Sequence, residues 1–350
     1  MEGCVEHAFR GVVSGGCIRD EREMVLVVSH PHPDDDHGGG PGPVRDWNEP
    51  LDAEVYGALL DSDVDADDVT FRVEAFQHVA VRSEGVWRLE EVAESGTIDA
   101  LTRLGVRGYG ALVSYGGSAW FVALRSAVDG AWSALKYEGA PAGLVEPRVC
   151  FSGEDVVMAG SRGFELDSSA ETGLFVRAEG SMRWERSLGQ VPGRVLALDG
   201  CLRPDGTRVL YAGGQRLWMH AEGGWREVHS YVSGEVSFVR CFPSGEVVAG
   251  TTRGDVILGN AEGCRVVARV GRIHSAEQWG TDVYVADPEG VYRVDASGFE
   301  RCAVPTVPSV ATNVPDVGRL VAGEDRLWLA GSHVLASSED GKRWTVHPVR

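Results

Sequence analysis

Arg326-Leu327-Trp328-Leu329-Ala330-Gly331, then Val334-Leu335-Ala336-Ser337, then Trp344: three short apolar runs separated by turn residues. The alternation in Trp328-x-Ala330 is that of a pleated strand, and no helical periodicity of useful length competes with it. The same order recurs upstream. Val209-Leu210-Tyr211-Ala212-Gly213 precedes Leu217-Trp218-Met219 and Trp225. Glu246-Val247-Val248-Ala249-Gly250 precedes Val256-Ile257-Leu258, and Val283-Tyr284-Val285-Ala286 precedes Val291-Tyr292-Arg293-Val294. Earlier copies are Val156-Val157-Met158-Ala159-Gly160 with Leu174-Phe175-Val176, and Ala119-Trp120-Phe121-Val122-Ala123.

The alanine of this pattern falls at Ala123, Ala159, Ala212, Ala249, Ala286 and Ala330, giving steps of 36, 53, 37, 37 and 44 residues. A closing strand is marked by Trp87, Trp132, Trp184, Trp225, Cys264, Phe299 and Trp344. That makes six clear repeats and a seventh, ending at Trp87, whose earlier strands are harder to place. A period of about 40 residues with about four strands per unit is the signature of propeller blades. One such blade cannot bury both faces alone, so the ring must close. The sequence therefore predicts an all-β chain: a single β-propeller domain over 1–350, six or seven blades with seven favoured, four antiparallel strands each. Glycine after the second strand supplies the tight turns.

The N-terminal region breaks the repeat. Met24-Val25-Leu26-Val27-Val28 reads as a strand of a first blade. It runs into His30-Pro31-His32-Pro33-Asp34-Asp35-Asp36-His37-Gly38-Gly39-Gly40, where Pro and Gly remove donors and order. A second acidic run, Asp61-Ser62-Asp63-Val64-Asp65-Ala66-Asp67-Asp68, follows. Both insertions, around 30–50 and 61–68, are expected to project from one blade as exposed loops.

Charge narrows the function. The net charge of −19 is concentrated in residues 1–100, with 23 Asp and Glu against 7 Arg, whereas 101–350 carry 29 acidic and 26 basic residues. Phosphate backbones and anionic lipid demand a basic surface, so nucleic acid and membrane are expected not to be partners. A basic protein steered toward the N-terminal part fits better. No run approaches the roughly 20 apolar residues that span a bilayer. Met1-Glu2-Gly3-Cys4-Val5-Glu6 lacks a basic and then apolar leader, which predicts a cytoplasmic protein. The seven cysteines are odd in number and without framework spacing, so they read as small buried apolar groups.

Three local resemblances add to this. Ser337-Ser338-Glu339-Asp340-Gly341-Lys342-Arg343-Trp344 resembles the Asp-box of sialidase-like propellers, Ser-x-Asp-x-Gly-x-x-Trp, with Glu339 at the aspartate position. The blade period is also similar to that of WD40-like propellers. The box implies a capped turn between third and fourth strands with Trp344 packed between blades, and implies no chemistry. The Arg-Ile-Pro segment of sialidases is absent. Val25-Leu26-Val27-Val28-Ser29-His30-Pro31-His32-Pro33-Asp34-Asp35 is similar to the strand and His-Pro-Asp-Asp signature of zinc-dependent sugar N-deacetylases, which would make His32 and Asp35 ligands and Asp34 the base. The later His-x-x-His of that family is missing. Asp61-x-Asp63-x-Asp65 resembles the start of a calcium loop, but Ala66 stands where Gly belongs and Arg72 where Glu belongs.

No nucleophile elbow, phosphate-cradling glycine loop or Cys-x-x-Cys pair occurs, so the sequence predicts a protein that is not an enzyme. The expected role is a protein-binding propeller, in its most specific form an immunity protein neutralising a basic bacterial toxin. Its contact residues would be Asp34, Asp35, Asp36, Asp61, Asp63, Asp65, Asp67 and Asp68. No cofactor is expected beyond an adventitious divalent metal on His30, His32 and His37, or calcium. The alternative is an enzyme or a small-molecule or metal binder using the central channel or the His/Asp-rich loop.

Overall fold

The computed structural model describes residues 12–18, 23–30, 76–83, 86–92, 97–103, 108–115, 119–126, 130–135, 144–152, 155–162, 171–177, 188–221, 224–230, 233–304, 307–308, 315–316, 318–331 and 335–347. Among them there is no helix. The first sheet comprises β1 (Val12–Ile18), β2 (Met24–His30), β3 (Phe76–Ser83) and β4 (Val86–Glu90). The second comprises β5 (Thr97–Arg103), β6 (Gly108–Tyr115), β7 (Ala119–Ser126) and β8 (Trp132–Leu135). The third comprises β9 (Leu144–Ser152), β10 (Asp155–Arg162), β11 (Glu171–Arg177) and β12 (Gln190–Pro192). The fourth comprises β13 (Ala197–Leu202), β14 (Arg208–Gly213), β15 (Leu217–Ala221) and β16 (Gly224–His229). The fifth comprises β17 (Val236–Cys241), β18 (Val247–Thr251), β19 (Asp255–Asn260) and β20 (Gly263–Arg269). The sixth comprises β21 (Ser275–Trp279), β22 (Asp282–Asp287), β23 (Gly290–Asp295) and β24 (Gly298–Cys302). After a two-residue ladder of β25 (Val307–Pro308) with β26 (Pro315–Asp316) comes a last sheet. It comprises β27 (Arg319–Ala322), β28 (Leu327–Ala330), β29 (Leu335–Ser338) and β30 (Thr345–His347). Every four-stranded sheet is antiparallel and pairs its strands in chain order.

The second strands show why these sheets cannot stand alone. In β22, Val283 and Val285 pack into the core shared with the fifth sheet, while Tyr284 and Ala286 pack into the core shared with the last. In β14, Val209 and Tyr211 face the fifth sheet and Leu210 and Ala212 face the third. Successive side chains of a strand point to opposite faces, so an unbroken apolar run feeds two cores at once. Most of the described buried apolar residues fall into six clusters, five joining consecutive sheets and one joining the first sheet to the last.

One of those six closes the chain on itself. Met24 and Leu26 of β2 and Ala80 of β3 share a cluster with Val321, Trp328, Ala330 and Leu335 of the last sheet. On their other side, Val25 and Val27 pack with Tyr109, Ala111 and Val113 of the second sheet. β1 touches both β5 and β27. The fold is a β-propeller.

The antiparallel four-strand unit is as the sequence implied, with three differences: first, the third sheet is closed by β12, which does not include Trp184. Ala123 lies on β7, the third strand of its sheet, and pairs with Ala111 on the second strand. The marker had slipped by one strand there because β6 and β7 carry equally apolar runs. The blade ending at Trp87 is completed by β1 and β2, whose pairing continues to His30 opposite Phe76. Both acidic insertions lie in the sequence between these two residues, outside the described residues.

The Asp-box turn lies between β29 and β30, and Trp344 packs against the core between the sixth and last sheets. The capping carboxylate is Asp340 rather than Glu339. Asp340 Oδ1 accepts the backbone N–H groups of Lys342 at 2.9 Å and Arg343 at 2.7 Å, whereas Glu339 is exposed and pairs with Arg326 at 2.9 Å. These bonds hold the Asp340 carboxyl well below the usual carboxylate range. Gly341 adopts φ +68° there, and a Cβ on it would collide with the buried Tyr284 hydroxyl.

Trp328 has no exposed surface and fills the closing core. Trp328→Ala is predicted to lower unfolding stability by about 3–5 kcal/mol in chemical denaturation. Val346→Ala, at a site 51% exposed on the neighbouring edge strand, should change it by less than about 0.5 kcal/mol.

Candidate functional site

First strands of successive sheets lie against each other: β9 against β13, β13 against β17, β21 against β27, and β27 against β1. Charge on such a strand is confined near the ring axis. Three charged residues meet there from consecutive sheets: Asp199 on β13, Arg240 on β17 and Glu277 on β21. Arg240 donates to Glu277 Oε1 at 2.8 Å, and its other terminal nitrogen lies 3.9 Å from Asp199 Oδ2. Asp199 Oδ2 also accepts the backbone N–H of Cys241 at 2.7 Å, tying the fourth sheet to the fifth.

Burial pushes both carboxyls above their ordinary values, and Arg240 only partly offsets it. Two carboxylates against one guanidinium leave an acidic excess that favours a cationic or proton-donating ligand group. Other polar links run from first strands to residues just outside the strands of the preceding or following sheet. Gln278 donates to Glu246 at 2.8 Å, and Arg148 of β9 donates to the Leu196 carbonyl at 2.8 Å.

A second set of carboxylates fixes the turns between second and third strands. Asp287, fully buried, accepts the N–H groups of Gly271 at 2.6 Å, Glu289 at 2.8 Å and Gly290 at 2.9 Å. Asp255 accepts Ser233 N–H at 3.2 Å and Arg269 Nε–H at 2.7 Å. Each carboxylate thereby clamps its hairpin to the link that enters the same sheet. These groups are structural, since every oxygen is spent on the protein's own donors.

The residues singled out from sequence stand elsewhere. His30 ends β2, and nothing of its side chain is described. His32, His37, Asp34, Asp35, Asp36, Asp61, Asp63, Asp65, Asp67 and Asp68 lie outside the described residues. Among the described residues, no group of three or more His, Cys, Asp or Glu is placed to hold a metal ion. The described cysteines are free thiols, with Cys150, Cys201 and Cys241 buried and Cys264 and Cys302 half-buried. The axial trio was missed in the sequence. Its signal was a single charge inside an otherwise apolar first strand, as in Leu198-Asp199-Gly200, Val239-Arg240-Cys241 and Ala276-Glu277-Gln278.

No family model matches the chain, and no curated protein does. Solved structures do. U3-55K is 14% identical, with a TM-score of 0.52 over 73% of this chain and 81% of that one. The extracellular domain of the one component system BT4673 from B. thetaiotaomicron is 10% identical, with a TM-score of 0.54 over 97% of this chain. A structure from a study of two prolyl endopeptidases is 12% identical, with a TM-score of 0.53 over 98% of this chain. The chain spans only 38% and 50% of the length of the latter two. At these identities the likeness is one of fold alone.

The raised carboxyls give a pH prediction. A carboxyl whose value is higher in the folded protein than in the unfolded chain binds its proton more tightly when folded. Its contribution is therefore best at low pH and is lost as pH rises from the ordinary value, 3.8 for Asp, through the folded one. Asp199→Asn keeps an acceptor for Cys241 N–H and removes the titration. Stability measured across pH 4 to 8 should decline less with rising pH in the variant than in the parent; an unchanged slope would count against the buried charge at Asp199.

Proposed function

We propose that the chain is a cytoplasmic, non-enzymatic binding platform for a basic protein, and specifically an immunity protein that neutralises a basic toxin. The propeller fold is consistent with protein binding. The observation that carries the reading is where the charge sits relative to the ring. Residues 31–75, between His30 and its partner Phe76, hold 13 Asp and Glu against Arg45 and Arg72, which is −11 of the net −19. A rigid ring with its acidity gathered on one hairpin connection suits fast capture of a cationic surface by electrostatic steering. The contact residues are Asp34, Asp35, Asp36, Asp61, Asp63, Asp65, Asp67 and Asp68. In this reading all seven four-stranded sheets are blades of one ring.

A second reading rests on the axial trio. Asp199, Glu277 and Arg240 would bind a small cationic ligand in the channel, in which case the insertion would be dispensable.

The two separate in one experiment. The protein captured by the full chain from a lysate is purified, and its association is followed by stopped flow. Replacing the eight aspartates by Asn should slow association about tenfold or more at low ionic strength and flatten its salt dependence. Unchanged kinetics would remove the acidic insertion from the interface.

A further inference from the structure

Cys201 and Cys241 lie near the ends of first strands in consecutive sheets, one ladder position out of step, so they sit on opposite faces of their own sheets and meet in the core between them. Their thiols share one acceptor. Cys201 Sγ donates to the Phe242 carbonyl at 3.2 Å, and Cys241 Sγ lies 4.0 Å from the same oxygen. Both belong to the core cluster that joins the fourth and fifth sheets. The turns that follow them, Arg203-Pro204-Asp205 and Pro243-Ser244-Gly245-Glu246, line an open groove with Asn260, Ala261 and Glu262. The two buried thiols are two residues before the first groove residue of their own turns. The Arg203 guanidinium lies against Gly245 in that groove, about 3 Å from where a Cβ would stand.

We propose that Cys201 and Cys241 form a disulfide, reversible by thiols, when a small hydroperoxide enters through this groove. The chemistry needs an attacking sulfur of thiolate character and a second thiol within reach. Cys201 supplies the first once it gives up the proton it places on the Phe242 carbonyl: the neighbouring Cys241, with Arg203 and Arg240, favours the thiolate, against burial and Asp199. The neighbouring Cys201 and burial raise Cys241, so it waits as the protonated partner. The Cys201 thiolate attacks the peroxide oxygen, the O–O bond breaks, and the departing hydroxide or alkoxide leaves as water or alcohol with the proton from Cys201. The Cys241 sulfur then attacks the Cys201 sulfenic acid. The S–S bond forms, the S–O bond breaks, and the hydroxide leaves as a second water with the proton from Cys241. Two thiols are oxidised and one peroxide is reduced.

The bond would add a covalent link between two sheets that meet through packing, hydrogen bonds and the Arg240–Asp199 ion pair. It would close a loop of about 40 residues, which restricts the unfolded chain.

The test uses the full reduced chain, treated with hydrogen peroxide while folded, then unfolded, alkylated and mapped by mass spectrometry. The expected result is a Cys201–Cys241 cross-linked peptide that disappears with dithiothreitol, and a thermal midpoint raised by several degrees. Cys201→Ser and Cys241→Ser should each abolish the cross-link, and Cys264→Ser should leave it intact. Recovery of both residues as alkylated thiols would overturn the proposal. So would Cys201 stopping at sulfinic acid, or a cross-link from either residue to any other cysteine.

Discussion

The structure depends on side chains that alternate across a strand whose two faces are both buried. Met24 and Leu26 point to the last sheet while Val25 and Val27 point to the second, all four with 2% exposure or less. Trp328 and Ala330 face the first sheet while Leu327 and Leu329 face the sixth. A four-stranded sheet with such a strand at its heart has no solvated face, so it needs a neighbour on each side. A linear stack would leave its two end sheets with one apolar face in water, at about 1.5–3 kcal/mol for each large side chain. Contact between the last sheet and the first covers the faces that Met24, Leu26, Trp328 and Ala330 present.

Ring packing also determines where polar groups are tolerated. On first strands the crowding at the axis lets Asp199, Arg240 and Glu277 reach one another across three sheets. On hairpin ends Asp255 and Asp287 hold backbone donors that the turns leave unpaired. Cys201 and Cys241 meet because they stand one residue out of step in the repeat, which turns them toward each other across the core between their sheets. Insertions are compatible with this plan where they leave and rejoin one hairpin, as residues 31–75 do between β2 and β3.

Much of this was legible in the chain. Runs such as Val283-Tyr284-Val285-Ala286 announce a two-sided strand, and their spacing announces the repeat. Ala123 misled because β6 and β7 are both apolar, and local pattern does not number strands within a blade. Glu339 and Asp340 are adjacent acids in one turn, and only backbone geometry decides that Asp340 points its oxygens at the Lys342 and Arg343 amides. The axial trio was hidden for a different reason. Its members lie 41 and 37 residues apart (199 to 240, 240 to 277), and a salt link across sheets leaves no local trace.

The closure between first and last sheets is tested most directly by a double-mutant cycle on Leu26 and Trp328, which share one core although 302 positions separate them in the chain (26 to 328). Leu26→Ala, Trp328→Ala and the double variant are compared by chemical denaturation. Closure predicts that the two losses fail to add, with a coupling of about 1 kcal/mol or more. Losses that add to within about 0.5 kcal/mol would contradict it.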